Sequence, residues 1–95
     1  MVALEDKTKL IEEITKHLPD VKIYLYGSRA TGTHRPTSDI DLAVDSGKQI
    51  SPDTMHKLNK DIEELKLTLE VEIVDMHSIP QGHIDRIERE KILWR

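Results

Sequence analysis

The stretch YLYGSRATGTHRPTSDIDLAV, residues 24–44, is the part of the sequence that indicates the fold most clearly. It begins inside an apolar run, residues 21–26, which predicts a strand that ends at Gly27 and Ser28. A polar loop over residues 29–38 follows and contains a second glycine, two arginines and a proline. The alternating run at residues 39–44 predicts another strand. The stretch therefore predicts a strand, a glycine-containing loop and a second strand that begins with two carboxylates.

Both carboxylates of this second strand point to one side. Residues two apart in a strand share a face, so Asp39 and Asp41 lie together, opposite Ile40 and Leu42. Two neighbouring carboxylates repel each other, and a positive group, either an arginine or a metal ion, is expected between them. Ligands made only of oxygen suit Mg²⁺, which proteins usually hold through one or two carboxylates and the phosphates of a substrate. Gly27 lets the backbone approach a ligand closely.

The glycine spacing invites comparison with a P-loop. Gly27 and Gly32 have the spacing of that motif, but Thr33 and His34 stand where it needs Lys and then Ser or Thr. The loop also leads into a strand pattern rather than into a helix. We reject the P-loop, and we find no dinucleotide-binding fingerprint.

Gly27-Ser28, the ten residues 29–38, and Asp39-Ile40-Asp41 form the pattern Gly-Ser, spacer, Asp-x-Asp. This pattern resembles the signature of the polymerase β nucleotidyltransferase superfamily, and the longer string GSRATGTHRPTSDIDLAV is similar to its minimal nucleotidyltransferase (MNT) group. The resemblance implies an α/β fold, with a small mixed sheet of three or four strands and helices packed on one face. It implies Mg²⁺ held by Asp39 and Asp41, and ATP as the substrate, whose phosphates contact Gly27 and Ser28.

Two further assignments follow from the resemblance. Arg29 directly follows the Gly-Ser pair, and we expect it to bind phosphate, although it would equally neutralise Asp39 or Asp41. The superfamily needs a third carboxylate from a later strand, and EVEIVD, residues 70–75, aligns Glu72 with that position, where the resemblance leads us to expect Asp. We assign Glu72 as the third metal-binding and catalytic carboxylate. Asp75, on the opposite face, is the alternative, and its simpler role is to cap the next helix or close the turn.

The MNT resemblance also implies a partner. These small prokaryotic proteins pair with HEPN-domain toxins, so we expect an antitoxin that transfers AMP from ATP to a hydroxyl, with tyrosine as the expected acceptor, on a HEPN ribonuclease toxin. One rival hypothesis is an antitoxin that neutralises the toxin by contact alone. The other is a small-molecule nucleotidyltransferase, which the short chain disfavours because those enzymes resemble this core plus an extra domain.

Composition limits the remaining function classes. The 95 residues are enough for one domain, residues 1–95, and the net charge of −4 argues against general attraction to nucleic acid. The chain has no cysteine, which excludes thiolate metal sites and disulfides. Apolar runs are too short for a membrane span, and Glu5 and Asp6 interrupt any signal-peptide core, so we expect a cytoplasmic location.

The other segments read as three helices and a tail. Apolar spacing predicts helices at residues 5–18 and from residue 51, the second with Ser51 as its N-cap and a buried stripe that runs on to Leu69. Ser78 and Gln81 resemble a capping box for a third helix, whose charged residues 85, 86 and 88–90 we expect to be exposed. Residues 92–94 predict either an edge strand or a partner contact.

Overall fold

A computed structural model describes residues 2–95, which contain four helices and four strands. In chain order they are α1 (Leu4–His17), β1 (Lys22–Tyr26), α2 (Ser28–Thr31), β2 (Ile40–Asp45), α3 (Pro52–Glu64), β3 (Val71–Asp75), α4 (Gln81–Glu90) and β4 (Ile92–Leu93). The strands form one sheet in the order β3-β2-β1-β4. Strand β1 pairs antiparallel with β2 and β4, and β2 pairs parallel with β3. The predicted α/β fold with a small mixed sheet is confirmed.

The first face of the sheet carries the larger core. Helices α1 and α3 contribute Leu10, Ile14, Leu58 and Ile62, all nearly or fully buried. The sheet meets them with the alternate residues of its central strands, namely Ile23, Leu25, Ile40, Leu42 and Val44. The face assignment made from the period of two is therefore correct for β2. Burial of these aliphatic side chains is the main driving force that holds the two helices against the sheet.

The second face is only partly covered. Tyr26, Ala43, Met76 and Ile87 form a smaller buried cluster there, and Ile87 belongs to α4. The sequence predicted helices on one face of the sheet. Helices α1 and α3 share the first face, whereas α4 packs on the second. The end of α4 consequently lies beside the turn that follows β1.

Local signals at the helix ends succeed once and fail twice. Ser51 is the N-cap of α3, and its hydroxyl accepts a hydrogen bond from the Thr54 N–H at 3.2 Å. The predicted capping box is wrong, because α4 begins after Pro80 and the Ser78 hydroxyl donates to Asp75 instead. Helix α3 also ends before the predicted stripe does, since Lys66 adopts a left-handed φ of 51° just after it, although Leu65 and Leu69 still pack against the core as partly buried residues.

Two short elements complete the fold. Residues 28–31, predicted as the start of a loop, form the single helical turn α2. Ile92 and Leu93 pair with β1 as a short edge strand, which is one of the two roles predicted for this tail. Among residues 2–95, no helix has both the length and the apolar character needed to span a membrane.

Candidate active site

Gly27 sits where β1 turns into α2, in a conformation that favours glycine. Its φ is +76°, and a Cβ added there would overlap the carboxylate of Asp41. Its N–H donates to Oε1 of Glu90 at 3.0 Å. The group that approaches the Gly27 backbone here is Asp41, one of the predicted metal ligands, and the close approach to a bound ligand stays a prediction. Ser28 follows at once as the first residue of α2 and is half-buried.

The register of the sheet brings the predicted carboxylates together. Asp41 on β2 lies opposite Glu72 on the parallel strand β3, so both side chains project from the second face. Asp39 is exposed and lies one residue before β2. Partial burial raises the pKa of Asp41, and the negative charges of Glu72 and Asp39 raise it further. These three carboxylates form an electronegative group that favours a cation.

Tyr26 closes the buried side of this group. It is 3% exposed, and its ring stands edge-on to His83 with 5.9 Å between centroids. Burial, followed by the charges of Asp41 and Glu72, raises the pKa of Tyr26 to about 12. The phenol is therefore neutral at physiological pH, and the side chain packs in the buried cluster on the second face of the sheet.

Arg29 has a different set of partners from the expected phosphate. The residue is 8% exposed, and its Nε donates to the Ser38 carbonyl at 3.0 Å. Its Nη2 donates to the carbonyls of Pro36 at 3.2 Å and Arg35 at 3.4 Å. The guanidinium thus holds the end of the loop that leads to Asp39. No pattern in the sequence indicated this burial, because an arginine after a glycine turn usually reaches solvent or ligand.

Asp75, the alternative third carboxylate, is occupied elsewhere. It is 4% exposed and lies on the first face, in register with Val44. Its carboxylate accepts from the N–H of Ile50 at 2.7 Å, the N–H of His77 at 2.9 Å and the hydroxyl of Ser78 at 2.8 Å. These bonds close the turn after β3, which is the simpler role considered for this residue. Of the two candidates for the third carboxylate, Glu72 is the one that lies on the same face as Asp41.

Helix α4 adds residues that sequence reasoning missed. Glu90, predicted to be exposed, has a side chain only 24% exposed because it reaches Gly27, and Arg86 pairs with it at 3.3 Å. Arg86 also lies 5.9 Å from the centroid of the Tyr26 ring. Residues 83, 86 and 90 recur at helical spacing beside the buried Ile87. That spacing was a readable signal, but charged residues flanking an apolar stripe are usually solvated.

A second group of possible metal ligands lies on the other side of the molecule. Within residues 2–95, Glu13, His17 and Asp61 are the group whose ligand atoms all lie within 4.8 Å of one another. His17 Nε2 is 2.8 Å from Asp61, so this histidine joins α1 to α3. The oxygens of Asp39, Asp41 and Glu72 are less tightly grouped, but Asp41 of this group approaches Gly27.

Comparison with known proteins agrees with this geometry. The family described as "Polymerase beta, Nucleotidyltransferase" matches residues 8–94, nearly the whole chain. This chain belongs to the polymerase β nucleotidyltransferase family. Membership agrees with the Gly-Ser turn, the Asp-x-Asp strand and the later carboxylate strand in their observed order.

Solved structures show that the fold is that of the minimal nucleotidyltransferases. A toxin–antitoxin structure with AMP-PNP contains a chain that is 23% identical, with a TM-score of 0.79 over 94% of this chain and 72% of that one. A tri-AMPylated Shewanella oneidensis HEPN toxin in complex with an MNT antitoxin contains one that is 20% identical, with a TM-score of 0.75 over 96% and 70%.

A relative is also found among eukaryotic members of the family. The poly(A) RNA polymerase cid14 of Schizosaccharomyces pombe is 30% identical over 76 residues, which are 77% of this chain. The chain spans only 11% of the length of that protein. The likeness therefore concerns the nucleotidyltransferase core.

Proposed function

We propose that this protein is an antitoxin that transfers AMP from ATP to a hydroxyl of a cognate HEPN toxin and thereby neutralises it. The observation that carries the proposal is the meeting of Gly27, Asp41 and Glu72 at one point of the sheet. Family membership supports nucleotidyl transfer. The descriptions of two structural neighbours, one with AMP-PNP and one with a tri-AMPylated toxin, support ATP as the donor and a HEPN protein as the acceptor.

The donor set fits Mg²⁺. Asp39, Asp41 and Glu72 supply carboxylate oxygens only, and Mg²⁺ prefers such ligands together with the phosphates of a substrate. When bound, the metal would neutralise negative charge on the triphosphate and on the leaving pyrophosphate. We assign these three residues as its ligands.

The transfer is a displacement at the α-phosphorus. The acceptor oxygen, expected to be that of a tyrosine, forms a bond to the α-phosphorus while the bond to the pyrophosphate oxygen breaks. The hydroxyl proton passes to a carboxylate, for which we assign the exposed Glu72. Gly27 and Ser28 contact the phosphates through their N–H groups and the serine hydroxyl. The work of the protein is mainly to position the reactants and to balance their charge.

Label transfer tests the proposal. The product of the adjacent gene, which the proposal takes to be the HEPN protein, is mixed with this protein, Mg²⁺ and ATP labelled at the α-phosphate, and the proteins are separated by electrophoresis. We expect label on the HEPN protein with the wild type and none with the double variant Asp39→Asn, Asp41→Asn. Asp20→Asn removes an exposed carboxylate just before β1, at the opposite end of that strand from Gly27, and should transfer label normally.

One observation favours a rival, an antitoxin that acts by contact alone. Glu72 stands where the resemblance led us to expect Asp, and its side chain is one methylene longer. A stable complex that silences the toxin without label, equally well in the Asp39→Asn, Asp41→Asn variant, would establish this rival. We further propose a cytoplasmic location for either activity.

A further inference from the structure

One carboxylate oxygen beside Gly27 receives two donors. Oε1 of Glu90 accepts the Gly27 N–H at 3.0 Å and lies 3.3 Å from Nε of Arg86. Glu90 and Arg86 are four residues apart and therefore neighbours on the same side of α4. An anionic oxygen is thus already seated on the amide that the proposed function assigns to phosphate.

Glu90 adds a fourth negative charge to the group of Asp39, Asp41 and Glu72. Burial raises the pKa of Asp41, and the charges of Glu72, Asp39 and Glu90 raise it further. The two donors to Oε1 are the contacts that favour a carboxylate at this position. A stronger anion that brings its own cations would therefore compete effectively for the same donors.

We infer that Glu90 Oε1 marks the position of a phosphate oxygen, and that Arg86 is a further nucleotide-binding residue. The triphosphate displaces Glu90 and takes over the Gly27 N–H and the Arg86 guanidinium. This inference rests on the proposed function. It deepens that function by giving Arg86 the phosphate-binding role that was predicted for Arg29. The Arg29 guanidinium holds loop carbonyls, whereas the Arg86 side chain is 50% exposed and can turn toward a ligand.

The chemistry of the two side chains fits this exchange. Arginine matches phosphate by two parallel hydrogen bonds, so Arg86 loses little when phosphate replaces carboxylate. Glu90 and a triphosphate cannot share the site, since like charges at contact repel. Glu90 thus keeps the amide and Arg86 in place before the nucleotide arrives, and it lowers the affinity for the nucleotide.

Binding measurements on the whole chain test the inference. Calorimetry in Mg²⁺ gives dissociation constants for ATP, inorganic triphosphate and adenosine. Arg86→Gln should weaken ATP and triphosphate binding about tenfold or more while leaving adenosine unchanged, and Arg86→Lys should recover part of the loss. Glu90→Gln should tighten both phosphate ligands about threefold or more, because the competing charge is gone.

Matched controls are available on the outer side of the same helix. Arg89→Gln and Glu88→Gln remove the same kinds of charge from exposed positions and should bind like the wild type. Thermal melting of every variant confirms that it is folded at the temperature of the titration.

The outcomes separate the inference from the function it rests on. Wild-type binding of ATP that Arg86→Gln leaves unchanged would overturn the role of Arg86 and spare the proposed function. Weaker binding of ATP and triphosphate by Glu90→Gln would show that Glu90 does not compete with phosphate. Glu90 would then help to hold Arg86 and the Gly27 amide in place for the nucleotide. A wild type that binds neither ATP nor triphosphate would overturn both proposals.

Discussion

Gly27 is constrained by its backbone and by its neighbour at once. Its φ of +76° strains any other residue, and a Cβ would overlap the Asp41 carboxylate. Gly32 offers the comparison, because its φ is +83° but nothing lies within 4 Å of an added Cβ. A comparison of alanine substitutions at the two positions therefore distinguishes the cost of backbone strain from the cost of the steric overlap with Asp41.

We expect Gly27→Ala to lower the free energy of unfolding by about 3 kcal/mol, and Gly32→Ala by about 1 kcal/mol. The difference measures the displacement of Asp41, which should also weaken ATP binding in Gly27→Ala. Urea unfolding, followed by the fluorescence of Trp94, the sole tryptophan, measures the free energy of unfolding of both variants. Equal losses would show that Asp41 yields freely to the methyl group.

Arg29 is expected to act through stability. Arg29→Lys removes the planar fork that reaches the carbonyls of Ser38, Pro36 and Arg35, and we expect a loss of about 2 kcal/mol in the free energy of unfolding. Arg35→Lys, at an exposed position of the same loop, should change it by less than about 0.5 kcal/mol. Unchanged stability in Arg29→Lys, with weaker ATP binding, would restore the role in phosphate binding that the sequence suggested.

At the level of elements, β3 uses its two faces for different purposes. Asp75 ties the strand end to Ile50 and to the turn before α4, while Glu72 faces Asp41 across the parallel pair. Parallel pairing in this register is what separates the structural carboxylate from the candidate catalytic one.

Substitutions on β3 should therefore affect either stability or label transfer, depending on the face that the residue occupies. Asp75→Ala leaves a buried N–H of Ile50 without its acceptor, and we expect a loss of about 3 kcal/mol in the free energy of unfolding. Glu72→Gln should stay within about 0.5 kcal/mol of the wild type and abolish label transfer. Full transfer by Glu72→Gln would remove this residue from the catalytic group.

The end of β2 carries a pH-dependent link to the turn after β3. Asp45 Oδ1 accepts the Gly47 N–H at 2.8 Å and lies 2.6 Å from His77 Nε2. The hydrogen bond from Gly47, and then that from His77, hold the pKa of Asp45 below its ordinary value of 3.8. A lowered carboxyl pKa stabilises the folded state above the ordinary value, and this contribution is lost as the pH falls through the folded-state pKa.

We expect Asp45→Asn to be less stable than the wild type at pH 5, and the two to converge in acid well below pH 3.8. Because the Asp45 side chain is 33% exposed, the difference at pH 5 should stay under about 1 kcal/mol. Urea midpoints at both pH values measure it. A difference that persists or grows in acid would contradict the assigned direction.

At the scale of the whole molecule, the net charge bears on which kind of acceptor the protein can attract. The net charge of −4 gives no general attraction to a phosphate backbone. We expect no extension of a labelled RNA primer with ATP and Mg²⁺, and no primer binding at about 0.15 M salt. The S. pombe poly(A) polymerase is the positive control. Primer extension by this chain would replace the protein acceptor with nucleic acid.

Sequence patterns alone were enough to predict the strands, the Gly-Ser turn and the face of the sheet on which Asp41 lies. These features follow from local periodicity and from the steric freedom of glycine, which any short window carries. The tertiary structure alone decided that Arg29 is buried and that Glu90 meets Gly27, 63 residues away along the chain. Such contacts depend on which face of the sheet α4 returns to, and a charged residue beside an apolar stripe has the same pattern whether water or a partner lies opposite.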